Sequence, residues 1–137
     1  MKSKYIIIIY FFVGMIFLSA CGQGADPLAG TTWDLVSIAG APLIEGTAIT
    51  ATFDSGQIGG SACNSYSGSY TVNKDTITIG QIASTEMYCV EPAGAMDQES
   101  AYFTYLLQAQ KFETSAGKLS IITSGGATLV FEPIPTE

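Results

Sequence analysis

Ser69-Tyr70-Thr71-Val72-Asn73-Lys74-Asp75-Thr76-Ile77-Thr78-Ile79 is the stretch on which the fold turns. Residues 69–72 and 76–79 alternate apolar and polar side chains, the period of a half-buried strand. Between them Asn73-Lys74-Asp75 supplies the short polar residues that a tight hairpin turn favours. Tyr70, Val72, Ile77 and Ile79 are therefore expected on the inward face of an antiparallel pair.

Outward from this hairpin the text keeps the same character. Residues 32–38 (TWDLVSI) and 48–53 (AITATF) read as strands, the second with Ile49, Ala51 and Phe53 on one face. Residues 57–62 (QIGGSA) form a weaker strand whose paired glycines signal a bulge or a close backbone approach. Residues 82–88 are expected to add another strand, and residues 111–114, 119–122 and 128–131 to close the chain, with Pro133 and Pro135 ending the pairing.

One segment departs from this period. Residues 96–110 (MDQESAYFTYLLQAQ) lack Gly and Pro and space Met96, Phe103, Leu106, Leu107 and Gln110 near 3.6 residues. The pattern predicts the one long helix, with Phe103 and Leu107 inward and Asp97 and Glu99 in the first turn, where the helix dipole favours negative charge. Many short antiparallel strands with one inserted helix make a mainly β fold, a small antiparallel barrel or roll with the helix across or plugging it.

The N-terminus is of another kind. Met1-Lys2-Ser3-Lys4 is a short basic region, residues 5–17 (YIIIIYFFVGMIF) are apolar, and Leu18-Ser19-Ala20 lead into Cys21. That is the layout of a secretory signal peptide. The apolar block falls short of the roughly 20 residues that span a bilayer core. Leu18-Ser19-Ala20-Cys21 closely resembles the bacterial lipobox, which implies a diacylglyceryl group on Cys21 and cleavage before it. Two acyl chains hold a protein stably where one does not. The expected organisation is a signal peptide over 1–20, a lipidated start and tether over 21–30, one domain over 31–133 and a tail over 134–137. By resemblance to Gram-negative lipoproteins, Gly22 rather than Asp after the cysteine favours the outer membrane. In a host without one, the outer face of the cell membrane is expected.

Charge excludes some functions. The chain has 5 Lys against 12 Asp plus Glu, a net charge of −7, with no Arg and no His. Lys2 and Lys4 belong to the leader, so the exported part is more acidic still. Nucleic-acid binding needs a Lys/Arg footprint that this chain lacks. Without His the commonest general base and the usual nitrogen ligand of zinc are missing, so neither a catalytic site nor a metal or cofactor is expected.

With Cys21 acylated, Cys63 and Cys89 remain, and in an oxidising compartment an even pair has one intramolecular connectivity. A bridge there would contribute roughly 3–4 kcal/mol on the chain-entropy model. The alternative is a reactive thiol, which needs a cationic neighbour; Glu86 and Glu91 act the other way. Gly59-Gly60-Ser61-Ala62-Cys63-Asn64 lacks the Lys of a phosphate loop and opens no helix, and reads as a tight loop with Asn64 capping backbone groups. Tyr66, Tyr88, Tyr102 and Tyr105 are the candidate interaction or ligand surface, against the ordinary role of a half-buried ring with a wet hydroxyl.

Trp33-Asp34-Leu35, the run from Ala62 to Tyr70 (ACNSYSGSY), the run from Ala83 to Cys89 (ASTEMYC), Met96-Asp97-Gln98-Glu99, Leu119 and residues 128–131 follow one another in a recognisable order. Together they resemble a META domain of the HslJ-like lipoprotein group across nearly the whole exported chain. Ser61-Ala62 stand where the family has a glycine nearer the cysteine, and Glu86 where members often carry Arg or Lys. The resemblance implies a lipocalin-like β-barrel with a helix, in a stress- or envelope-associated lipoprotein without an established enzymatic activity. Members are associated with heat-shock induction and novobiocin resistance, and related domains have been compared with secretion pilot proteins.

Two functions follow as expectations. One is a monomeric, membrane-tethered module that contacts an envelope protein. The other is a carrier whose barrel holds an apolar ligand or lipid. The interior discriminates: if Phe53, Tyr70, Ile79, Phe103, Leu107 and Phe131 meet there, the barrel is full.

Overall fold

The computed structural model describes residues 24–135. The leader and Cys21 lie outside the described residues. Ten strands and one helix follow in the order β1 (Thr31–Ile38), β2 (Ala41–Pro42), β3 (Thr50–Asp54), β4 (Gln57–Ser61), β5 (Ser65–Asn73), β6 (Thr76–Ile79), β7 (Ala83–Ser84), α1 (Ala95–Leu107), β8 (Ala109–Ser115), β9 (Lys118–Thr123) and β10 (Thr128–Pro133). Eight of them, β1-β3-β4-β5-β6-β8-β9-β10, pair antiparallel in turn, and β10 returns to β1 to close a barrel. Closure leaves the long strands without a free edge at this junction. β2 and β7 are short additions to β1 and β5.

The hairpin at residues 69–79 forms as its sequence dictates. Asn73 pairs with Thr76 and Tyr70 with Ile79. Lys74 takes a positive φ of 59° in the turn, and the Thr76 hydroxyl donates to the Asn73 carbonyl. Tyr70, Ile77 and Ile79 are buried while Val72 is only partly so. Ile49, Ala51 and Phe53 all point inward as expected. A one-residue irregularity at Val36 lets β1 bend from its partners on one side to β10 on the other.

Gly60 is where the backbone approaches most closely. A Cβ there would sit 2.1 Å from the Thr50 carbonyl oxygen. No side chain fits such a gap, which is why the weak strand carries its glycine pair.

Because the strands run alternately up and down, the connections sort to two poles. The β3–β4, β5–β6 and β8–β9 turns share one pole with the point where the chain enters β1. The 39–49 connection, the 62–64 turn, the long 80–108 connection with α1, and the 124–127 turn lie at the other. We call these the near and far poles. Leu28, which the sequence reading places in the tether, is fully buried in the core, and the Tyr70 hydroxyl donates to the Asp26 carboxylate. The chain is thus clasped to the barrel from residue 26 onward.

The helix differs from expectation in phase. It spans Ala95–Leu107 and buries Ala95, Glu99, Tyr102 and Leu106. Leu107, expected inward, is 49% exposed, and Phe103 is only half-buried at the edge of the core. The stripe at 95, 99, 102 and 106 contains a carboxylate, so a search for apolar periodicity settles one residue out of register. Residues 82–88 also form less strand than expected, only Ala83–Ser84. Beyond Thr85 the Asn64 side chain takes over the backbone partners of the segment at Met87.

Candidate functional site

Cys63 and Asn64 occupy the tight turn between β4 and β5 at the far pole. Asn64 is a buried polar residue and all of its side-chain capacity is used. Its Oδ1 accepts from Met87 N at 2.6 Å and from the Thr85 hydroxyl at 2.9 Å. Its Nδ2 donates to the Met87 carbonyl at 3.2 Å and to Glu99 Oε1 at 2.8 Å. The amide of one side chain thus stands in for a strand, pairing with both backbone groups of Met87. The sequence reading gave Asn64 a capping role, and the structure gives it that role.

The other end of this node was not foreseen. Glu99, expected in the first turn of the helix where the dipole favours negative charge, lies one position beyond it and is buried. Its Oε2 accepts the Asn64 backbone N–H at 2.6 Å, so both carboxylate oxygens face Asn64 donors. Burying a carboxylate is costly unless it is hydrogen-bonded, and these two bonds offset that cost. Only an acceptor-only group suits two converging donors. The signal in the sequence was the spacing of Glu99 from Ala95, Tyr102 and Leu106, which reads as a stripe once Glu99 is allowed into it.

Cys63 and Cys89 stand at disulfide distance, with Cα atoms 6.0 Å apart. The span from Thr85 to Pro92 is therefore held from several sides: Thr85 N to the Ser65 carbonyl, Met87 to Asn64, and Cys89 beside Cys63. Between the anchors the side chains of Met87, Tyr88 and Val90 project outward, 60%, 79% and 69% exposed. Glu86 and Glu91 flank them and are exposed as well.

The candidate tyrosines separate into two groups. Tyr88 is exposed and Tyr105 half-buried. Tyr66 and Tyr102, offered as surface candidates, are core residues instead. The Tyr66 hydroxyl donates to the Thr50 carbonyl at 2.8 Å, which leaves Tyr102 to donate to Tyr66 across 2.7 Å. Their rings pack edge-on with Phe103 and Phe131. Sequence alone could not tell a ring facing water from one whose hydroxyl finds a partner inside. Burial pushes Tyr66 up to about 12, partly offset by its Tyr102 hydrogen bond. Burial, and then Tyr66, raise Tyr102 well above its ordinary value. Tyr70 is raised by burial and by Asp26 beside it.

The barrel axis is occupied. Phe53, Phe131, Ile58, Ile77, Leu119, Ile121 and Leu129 come from the walls, Tyr102 and Leu106 from the helix, and Leu28 from the near pole. Of the six residues named as the test of a full interior, Phe53, Tyr70, Ile79 and Phe131 do meet, while Tyr102 and Leu106 replace Phe103 and Leu107. Beside the cysteine pair is a cleft of about 180 Å3 lined by Ile49, Ala62, Pro92, Ala95 and Gln98. That is smaller than the roughly 300–1,000 Å3 of a small-molecule site. Wider, open depressions lie by Gly68 and Ile82 and between residues 24–27 and 70–74. Among the described residues no three His, Cys, Asp or Glu side chains converge as a metal site would need, and no helix is long and apolar enough to cross a membrane.

A closed eight-stranded barrel filled by its own residues, with one helix over its far mouth and a loop clasped by Asn64 and a cysteine pair, defines a class of small packed β modules. Within that class the chain belongs to the META domain family, whose model matches residues 26–135. The fold is shared with a protein from Burkholderia xenovorans solved by NMR, 25% identical, with a TM-score of 0.65 over 80% of this chain and 85% of that one. A crystal structure of a DUF4847 family protein from Bacteroides vulgatus ATCC 8482 is 16% identical, with a TM-score of 0.62 over 81% and 97% of the two chains. No curated protein matches the chain.

Proposed function

We propose that this chain is an exported lipoprotein, acylated on Cys21, whose META domain serves the cell envelope as a non-catalytic interaction or structural module. The filled interior is the observation that carries the reading. A carrier needs a lined void of a few hundred Å3, and the axis of this barrel holds Tyr102, Leu106, Phe53 and Phe131. The charge pattern and the absence of His and Arg argue against nucleic-acid binding and against the usual acid–base machinery. An oxidising compartment also suits the Cys63–Cys89 pair, which stands ready to close.

The test is intact-mass analysis of the protein from its native host. The expected species lacks residues 1–20, carries diacylglyceryl mass on Cys21, and is two hydrogens lighter than the reduced form. An unprocessed start without acyl mass overturns the anchored reading, and two free thiols without added reductant overturn the bridge.

A further inference from the structure

The geometry points to the loop from Glu86 to Glu91 as a docking surface for an envelope protein that offers an apolar pocket rimmed by Lys or Arg. The proposal rests on the membrane-anchored reading above and adds the place and the chemistry of the contact.

Three apolar side chains within four residues, Met87, Tyr88 and Val90, are more than half exposed in a domain whose other large apolar residues are mostly buried. A mobile loop could fold such side chains onto the barrel. This one is held away from it, because Asn64 takes both backbone groups of Met87 and Cys89 is fixed beside Cys63. A pre-organised apolar tip with an aromatic residue at its centre has the make-up of an interface anchor, since ordering costs are met before the partner arrives.

Charge selects among occupants. Glu86 and Glu91 flank the tip, and exposed Glu45 and Asp97 belong to neighbouring segments of the same pole. The lysines among the described residues are Lys74, Lys111 and Lys118: Lys74 and Lys118 stand at the β5–β6 and β8–β9 turns of the near pole, and Lys111, on β8, faces Asp75 of the β5–β6 turn while Lys118 faces Glu132. Among the described residues no lysine pairs with Glu86 or Glu91, the acids beside Met87 and Tyr88. A second copy would set acid against acid, and an anionic lipid surface would do the same. Tether length adds to this. Five residues from Cys21 to Asp26 reach at most about 17 Å, and Asp26 is clasped at the near pole. Strand β5, from Ser65 to Asn73, carries the far pole roughly 20–30 Å away at about 3.3 Å per residue. The acyl anchor thus draws down the pole opposite the loop and leaves Tyr88 facing outward, toward a protein partner.

The test replaces Tyr88 with the photo-crosslinker p-benzoylphenylalanine in the full-length protein, expressed in intact cells of its host. Thr78, exposed on the barrel wall, is the control position. Irradiation is expected to give one discrete protein adduct at 88 and none at 78. The segment of the partner joined to position 88 should place Lys or Arg beside apolar residues. Adduct yield should fall about tenfold when Glu86→Lys and Glu91→Lys are combined, the change that roughly 1.4 kcal/mol of lost charge complementarity produces. Circular dichroism of the purified variants guards against misfolding. Adducts with lipid, adducts with a second copy, a captured segment without basic residues, or a yield indifferent to charge reversal each overturn the proposal. A correctly processed and acylated protein that gives no adduct at 88 overturns the docking surface and leaves the anchored reading standing. Missing acyl mass in the same preparation strikes the anchored reading, and the adduct then decides the docking surface alone.

Discussion

Removing the Asn64 side chain is the sharpest way to ask whether the far pole is built as described. Asn64→Ala deletes the bond from Nδ2 to Glu99 and both bonds to Met87, and leaves a buried carboxylate facing a single donor. A hydrogen bond to a charged group contributes about 1.5–3 kcal/mol, and an unsatisfied buried backbone group costs about 1–3 kcal/mol. Allowing for relaxation and water, the expected loss is about 3–4 kcal/mol, a large share of a typical stability on the order of 5–15 kcal/mol. Melting temperature should fall by roughly 10–20 °C for a domain of this size.

The assay is urea unfolding of the oxidised protein, followed by fluorescence of the single, buried Trp33. Glu99→Gln is the companion variant. Both Asn64 donors converge on the Glu99 carboxylate, so an amide must turn its own NH2 toward one of them. This nearly isosteric change should therefore cost about 2–3 kcal/mol. Asn64 and Glu99 share a bond, so the double variant should lose less than the sum of the two singles. If Asn64→Ala costs under about 1 kcal/mol, or if the two changes add in full, the node described here is not what holds the loop.

Leu106→Ala should cost about 2–5 kcal/mol, whereas Leu107→Ser should stay within about 0.5 kcal/mol; the same urea assay would show the order reversed if the helix had its expected phase. Reducing the proposed Cys63–Cys89 bridge in the folded protein should lower stability by roughly 3–4 kcal/mol without unfolding it, because Asn64 still holds Met87; loss of the native circular dichroism on reduction alone would contradict this. The buried phenols set an alkaline limit. Tyr66 moves from 10.0 up to about 12 on folding, so the folded state holds its proton where the unfolded chain has lost it. That contribution is complete below pH 10 and disappears as pH rises toward 12. Stability should thus fall between those values, with phenolate absorbance of the buried rings appearing together with unfolding; a smooth titration of every tyrosine in a folded protein would refute it.

How much of this was legible in sequence depends on which physical signal each residue carries. The barrel came through because strand alternation is local: Ile49, Ala51, Phe53, Tyr70, Ile77 and Ile79 announce their face every second residue, and Asn73-Lys74-Asp75 dictates the turn. Helix phase did not, because one of its four inward positions is Glu99 and its partner Asn64 is 35 residues away. The same long-range logic moved Tyr66 and Tyr102 from surface to core, since Tyr102 donates to the Tyr66 hydroxyl and Tyr66 donates to the Thr50 carbonyl. It also turned the expected strand at residues 82–88 into a loop, because a side chain supplied what a neighbouring strand would have given to Met87. Nothing in a local pattern announces a buried polar partner, and each of these departures involves one.

That concentration of buried polar groups on one side of the molecule bears on function. An apolar barrel of this size packs well with Leu, Ile and Phe alone, and its walls are largely so built, with the Tyr70–Asp26 bond the polar contact at the near mouth. Replacing a buried ionic or polar node with apolar residues is often neutral for stability, so its presence here calls for a reason other than stability. What Asn64 and Glu99 achieve together is to hold the backbone of Met87 in one place while its side chain, with Tyr88 and Val90, is kept out of the core. A chain that needed only to fold would bury those three residues or make them polar. The expense of fixing them in water is intelligible if something else covers them; under the proposed acylation of Cys21, the clasp at Asp26 and Tyr70 on the opposite pole would set the direction from which that partner comes.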